Sequence, residues 1–122
     1  MSESVEMYLK AIYILKGEKK IVHAIDIAKF MNVSKPSVSR AVTILKERQL
    51  VNSLSESIEL TEKGKQKATK IMQKYQDIKA FLQQTLNLEE QEASINACRM
   101  EHVITDTCHH QIETLLKEGQ HD

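Results

Sequence analysis

Residues 23–50 read HAIDIAKFMNVSKPSVSRAVTILKERQL, two helical patterns separated by three or four residues. In the first, Ala24, Ile27, Ala28 and Met31 recur at helical spacing and point inward. Asn32 tolerates the left-handed conformation that ends a helix, Val33 can tuck into a core, and Ser34 supplies a hydroxyl to cap the next helix. Pro36 falls in that helix's first turn, where its missing N–H leaves no helical bond unmade. The second helix buries Val38, Ala41, Val42 and Leu45 and turns Lys35, Ser37, Ser39, Arg40 and Thr43 outward. Short hydroxyls interleaved with basic groups are the side chains that reach base edges and phosphates. A helical hairpin with a merely solvated face has the same periodicity, so the flanking segments must separate the two.

On the C-terminal side, LVNSLSESIELT (50–61) alternates in the β manner around a polar turn at Ser55-Glu56-Ser57. A helix-turn-helix followed by a short hairpin is a winged helix. On the N-terminal side, SVEMYLKAIYILK (4–16) places Val5, Leu9 and Ile12 on one face and Met7, Ala11 and Ile14 on a stripe nearly opposite. This first helix is expected to be buried on two sides, with Met7 turned away from Val5 and Leu9. LTEKGK (60–65) leads back into helix, and an amphipathic pattern runs from Thr61 to about Leu86. Its stripe of Ala68, Ile71, Met72, Tyr75, Ile78 and Leu82 suits packing on a partner helix. Asn87 and Glu90 form a plausible capping pair for the following helix, IETLLK (112–117) adds a last amphipathic turn or two, and EGQHD is expected to fray.

The expected architecture is therefore mainly α, with a winged helix-turn-helix over residues 1–62 and a helical domain over 63–122. An apolar content of 41% is ordinary for a globular chain of 122 residues. No run of 18 apolar residues occurs, and MSESVEMYLK lacks the basic start and apolar block of a signal peptide. A soluble, cytoplasmic protein with no membrane partner is expected, its two cysteines reduced rather than bridged. The 17 basic and 17 acidic residues are unevenly placed. Residues 1–70 hold 13 Lys/Arg against 8 Asp/Glu, leaving +5, and residues 71–122 hold 4 against 9, leaving −5. Only the N-terminal half is suited to a polyanion.

Residues 97–110, ACRMEHVITDTCHH, concentrate two cysteines, three histidines and two acids. Cys98, Glu101 and His102 fall at i, i+3 and i+4, so on a helix they share one face and can converge. The spacing permits a metal site and equally permits a buried cysteine beside solvated polar groups. Met7 taken alone is ordinary core filler.

The order of elements, with EMYLKAIY, LTEKG and above all ACRMEHVITD, resembles the diphtheria toxin repressor family of metal-dependent transcription regulators, from about Glu6 to Leu116. The resemblance implies a homodimer, a regulatory metal and an operator of double-stranded DNA. It also implies the short form, as in the manganese-type regulators, without the SH3-like domain many members carry. In iron-type members the primary site takes a methionine from helix one and the cysteine, glutamate and histidine of the CRxEH helix. Here those positions are Met7, Cys98, Glu101 and His102. Thioether, thiolate, carboxylate and imidazole suit a borderline divalent ion, Fe(II) first, with Co(II), Ni(II) or Zn(II) able to substitute. Manganese-type members carry acids where Met7 and Cys98 stand, which puts Mn(II) second.

The family's ancillary site, a histidine and an acid on the long helix plus a histidine four residues before the cysteine, aligns with Tyr75, Lys79 and Ser94. Hydroxyls are poor ligands at neutral pH and an ammonium is none, so an ancillary ion of the usual kind is not expected. Cys108, His109 and His110 lie outside the matched set. On a straight helix His109 would stand about 16 Å from Cys98 and could not join its site unless the helix breaks. A separate Cys108/His109/His110 site is the lesser reading, and solvated polar residues are expected. His23 is expected as a first-turn residue.

DNA recognition would use Lys35, Pro36, Ser37, Ser39, Arg40 and Thr43, and two-fold symmetry implies a pseudo-palindromic operator. A metal-free thiol sensor using Cys98 is the rival within the DNA-binding class. A metal-dependent hydrolase is the rival outside it, and no H-E-x-x-H or second acid–base group supports an enzyme.

Overall fold

The computed structural model describes residues 2–54 and 57–119. The element order is α1 (Glu3–Glu18), α2 (Ala24–Met31), α3 (Lys35–Glu47), β1 (Val51–Leu54), β2 (Ser57–Leu60), α4 (Glu62–Thr85), α5 (Glu90–Met100) and α6 (Asp106–Gly119). Two compact units divide within α4, Met1–Thr69 and Lys70–Asp122.

The first unit is a winged helix. The Val5 N–H donates to Ser2 Oγ (3.3 Å) to start α1, with Glu3 and Glu6 in the dipole-favoured first turn. Val5, Leu9 and Ile12 are buried as the periodicity requires, and so are Tyr8 and Ala11. The second stripe is less enclosed: Ile14 is half-buried and Met7 is 39% exposed. Asp26 starts α2 by accepting from the His23 N–H (2.8 Å) and is itself held by Lys19 (2.7 Å).

Between α2 and α3, Asn32 takes the left-handed conformation (φ 56°) and the Val33 N–H returns to the Ala28 carbonyl (3.0 Å). Ser34 Oγ accepts from the Ser37 N–H (3.3 Å), capping α3 with Pro36 in its first turn. Val38, Ala41, Val42 and Leu45 face the core together with Leu9, Ile12, Val22 and Ile27.

The hairpin pairs Val51 with Leu60, Asn52 with Glu59, Ser53 with Ile58 and Leu54 with Ser57. The expected turn at Ser55-Glu56-Ser57 rests on two residues, 55 and 56, outside the described set. The wing is attached at two points: the Ile58 N–H donates to the Val22 carbonyl (2.8 Å), and Lys16 Nζ pairs with Glu59 (2.8 Å). The Lys16 hydrogen bond, chiefly, holds the Glu59 carboxyl below its ordinary value.

In the second unit Ile78, Leu82, Ala93, Ala97 and Ile112 form the core of three helices. Asn87 does not cap α5 as its spacing from Glu90 suggested. It is left-handed (φ 57°) and closes α4, with the Leu88 N–H returning to the Leu82 carbonyl (3.2 Å), while Glu89 occupies the N-cap of α5. The last helix is also longer than IETLLK alone indicated. It starts at Asp106, where Thr105 Oγ1 accepts from the Cys108 N–H (3.1 Å), so α5 and α6 are separate helices. Asp106 pairs with Lys70 (2.8 Å) and Lys74 (3.2 Å) of α4, which lower its pKa. Residues 120–122 of EGQHD lie outside the described set.

Candidate nucleic-acid interface and metal centre

On α3, Lys35, Pro36, Ser39, Arg40 and Thr43 are exposed and Ser37 is half-buried. The hydroxyls are held locally. Ser37 Oγ lies 2.9 Å from Ser34 Oγ and accepts from Arg40 Nη2 (3.3 Å), and Thr43 Oγ1 donates to the Ser39 carbonyl (3.0 Å). Lys35, Ser39, Thr43 and Lys46 line an open groove that also takes in His23 and Ser53. Lys46, seven residues beyond Ser39, was available from helical spacing. His23 and Ser53 reach the groove only through the fold. Ammonium groups beside hydroxyls in an open groove have the chemistry to contact phosphates and base edges.

The CxxEH segment straddles the end of α5. Cys98 is half-buried in the last turn, and neither it nor Cys108 is in a disulfide. Glu101 ends the helix with right-handed helical angles (φ −58°, ψ −25°), its N–H donating to the Ala97 carbonyl (3.0 Å). The His102 N–H donates instead to the Arg99 carbonyl (3.3 Å), a tighter turn. Glu101 is 1% exposed, and its Oε1 lies 3.1 Å from His102 Nε2, with both side chains inaccessible.

Glu101 and His102 are thus brought together in a buried setting, and Cys98 does not complete a convergent set with them. Among the described residues, three His, Cys, Asp or Glu ligand atoms come within 4.8 Å of one another at Asp77, His109 and Glu113. His109, expected in solvent, is only 6% exposed. The break between α5 and α6 re-aims it, so the straight-helix distance from Cys98 does not apply. Cys108 and His110 are exposed as expected.

The three positions aligned with the ancillary site meet between α4 and α5. Tyr75 Oη and Ser94 Oγ are 2.6 Å apart, and Lys79 Nζ lies 3.3 Å from Glu90 Oε1. The hydroxyls bond each other and the ammonium has an acid of its own.

A winged helix followed by a body of three helices is the order of parts found in a metal-dependent transcription regulator. Residues 1–56 match the iron dependent repressor N-terminal DNA binding domain, and residues 61–122 match the iron dependent repressor metal binding and dimerisation domain. The chain belongs to the iron-dependent repressor family, whose members are transcriptional regulators and not enzymes.

An uncharacterized HTH-type transcriptional regulator of Methanocaldococcus jannaschii is 33% identical over 120 residues, covering 97% of this chain and 96% of the relative. The diphtheria toxin repressor of Corynebacterium diphtheriae is 31% identical over 117 residues, covering 95% of this chain and 52% of the relative. The solved structure of the manganese regulator SloR superposes with a TM-score of 0.83 at 31% identity, covering 96% of this chain and 55% of that one. The chain therefore spans about half the length of the diphtheria toxin repressor and of SloR. Among the described residues no helix is long and apolar enough to cross a membrane.

Proposed function

We propose that this chain is a cytoplasmic, homodimeric repressor of metal-homeostasis genes, activated for operator binding by one regulatory divalent ion. The observation that carries the reading is the buried Glu101–His102 pair, side chains inaccessible and 3.1 Å apart, with Cys98 in the preceding turn and free of any disulfide. Carboxylate, imidazole and thiolate are donors that fit the ion the family implies. Glu101 and His102 would hold it, with Cys98, whose half-buried thiol would turn in to join them, and Met7 as the sulfur ligands that the family resemblance assigns.

The ion supplies positive charge and Lewis acidity to these donors. The soft sulfur ligands favour Fe(II), with Mn(II) second and Zn(II), Co(II) or Ni(II) able to substitute. Met7 belongs to α1, which packs against α2 and α3. Ligation through Met7 therefore bears directly on the body that carries the DNA face, and metal affinity and operator affinity are linked in both directions. Lys35, Pro36, Ser37, Ser39, Arg40 and Thr43 would meet a major groove, two copies reading a pseudo-palindromic operator.

The deciding experiment is elemental analysis of the purified protein alongside operator-binding curves in chelator and in each added ion. Activation by Fe(II) or Mn(II), reversed by chelator, is expected. Operator binding that ignores metal and chelator but changes on thiol oxidation would establish Cys98 as a redox sensor instead.

A further inference from the structure

His109 and Glu113, four residues apart on α6, project from one helical face toward Asp77 of α4. His109 Nε2 lies 2.7 Å from Asp77 Oδ2 and 3.6 Å from Glu113 Oε1, and the three ligand atoms are mutually within 4.8 Å. Gln73 Nε2 donates to the other Asp77 oxygen, Oδ1 (3.1 Å), which fixes Oδ2 toward the imidazole. Neither carboxylate has a Lys or Arg partner within 4.0 Å among the described residues.

A single proton on Nε2 bonds one acceptor, and Glu113 at 3.6 Å is beyond hydrogen-bond range. Three donor atoms therefore converge where one proton serves two of them. A divalent cation in that proton's place would bind all three and offset both negative charges. We propose that Asp77, His109 and Glu113 form a second metal site, separate from the Cys98-Glu101-His102 set, that clamps α6 to α4.

One imidazole nitrogen and two carboxylate oxygens, with no sulfur, suit Zn(II), Mn(II), Fe(II) or Co(II). The site is also distinct from the aligned ancillary positions. Asp77 lies two residues from both Tyr75 and Lys79, about 200° around α4, so it faces away from the pair that meets α5.

The test uses Co(II) and Zn(II) with the full-length chain, because thiolate ligation to Co(II) gives a near-ultraviolet charge-transfer band that nitrogen and oxygen ligands do not. A Cys98→Ala/His102→Ala background removes the sulfur site. That protein should still bind one Co(II) per chain, without the charge-transfer band, and Zn(II) should displace it. Adding Glu113→Gln, at a half-buried position that preserves shape, should weaken this binding at least tenfold. Adding His109→Ala should abolish it, with circular dichroism confirming that each variant is folded. Absence of Co(II) binding in the Cys98→Ala/His102→Ala background, or binding unchanged by Glu113→Gln, would overturn the site and leave His109 as an imidazole paired with Asp77 by hydrogen bonding alone.

Discussion

The hydroxyl of Thr61 joins the end of α3 to the start of α4: it donates to the Gln49 carbonyl at 2.7 Å and accepts from the Gly64 N–H at 3.0 Å. The Thr61 N–H meanwhile donates to the Leu50 carbonyl (3.0 Å), drawing α4 against the chain that leaves α3. LTEKG is thus a structural clamp, with threonine as the cap and glycine as the point of closest approach.

That approach sets the sign of Gly64→Ala. In an open helix the change would stabilise by about 1 kcal/mol. Here an added Cβ would overlap the carbonyl oxygen of Leu50, a backbone group that cannot swing aside. Net destabilisation of about 1–3 kcal/mol is expected from overpacking. Urea unfolding of the variant measures it, and an unchanged or raised midpoint would show that the clamp has slack.

Arg40, on the exposed face of α3, is expected to contribute to operator recognition without supporting the fold. Arg40→Ala should cost about 1–3 kcal/mol of operator affinity, whereas Lys35→Ala should reduce the salt slope by about 1. Titrations over a salt series read both. Wild-type affinity for Arg40→Ala throughout would remove this face from the recognition surface.

Asp106 gives a pH dependence with a defined sign. Hydrogen bonds from Lys70 and then Lys74 lower its pKa from 3.8, so its contribution is fully present above that value and is lost as pH falls through the lower folded-state pKa. Asp106→Asn should therefore lower the urea midpoint at neutral pH, and the gap from wild type should close as pH drops below 3.8. The carboxylate is solvent-exposed, so the effect should be small. A gap that stays constant through this range would mean that its origin is not the ion pair.

The helix-turn-helix was legible because each junction carries its own chemistry: Asn32 for the left-handed exit, Ser34 for the cap and Pro36 for the first turn. Asn87 was ambiguous for a physical reason. Asparagine both caps helices and adopts left-handed angles, and with the next helix three residues on, only the return of Leu88 to Leu82 shows which role it takes. The break after α5 was harder still, since EHVITD contains neither glycine nor proline. It is supported by Lys74 donating to the Ile104 carbonyl (3.2 Å) and by the Thr105 cap, the first of which comes from a distant helix. Missing that break misplaced His109, and Asp77 was invisible as its partner because 32 residues separate them.

For the proposed regulatory site, Cys98→Ala and His102→Ala should each abolish the gain in operator affinity on adding metal. The winged helix should remain folded, because both substitutions lie in the second unit. Operator titrations with Fe(II) and Mn(II), paired with circular dichroism, provide the readout. A full metal response in both variants would show that the ligands have been misassigned.

Lys79 stands where the family resemblance puts an acid, and Glu90 lies 3.3 Å away. We propose that this fixed ammonium replaces part of the charge an ancillary ion would bring, while the 2.6 Å Tyr75–Ser94 hydrogen bond occupies the neighbouring ligand positions. The Lys79 and Glu90 side chains are 26% and 77% exposed, so the pair should contribute only about 0–1 kcal/mol to folding. Its effect should instead appear in function. Lys79→Ala should weaken metal-activated operator binding severalfold while the Cys98 site keeps its ion, and Tyr75→Phe and Ser94→Ala should leave the number of bound ions unchanged. Elemental analysis and operator titration on the same samples decide between the outcomes. Loss of one bound equivalent in Tyr75→Phe or Ser94→Ala would mean that these hydroxyls hold an ion after all, and wild-type operator binding by Lys79→Ala would reduce the lysine to a surface ion pair.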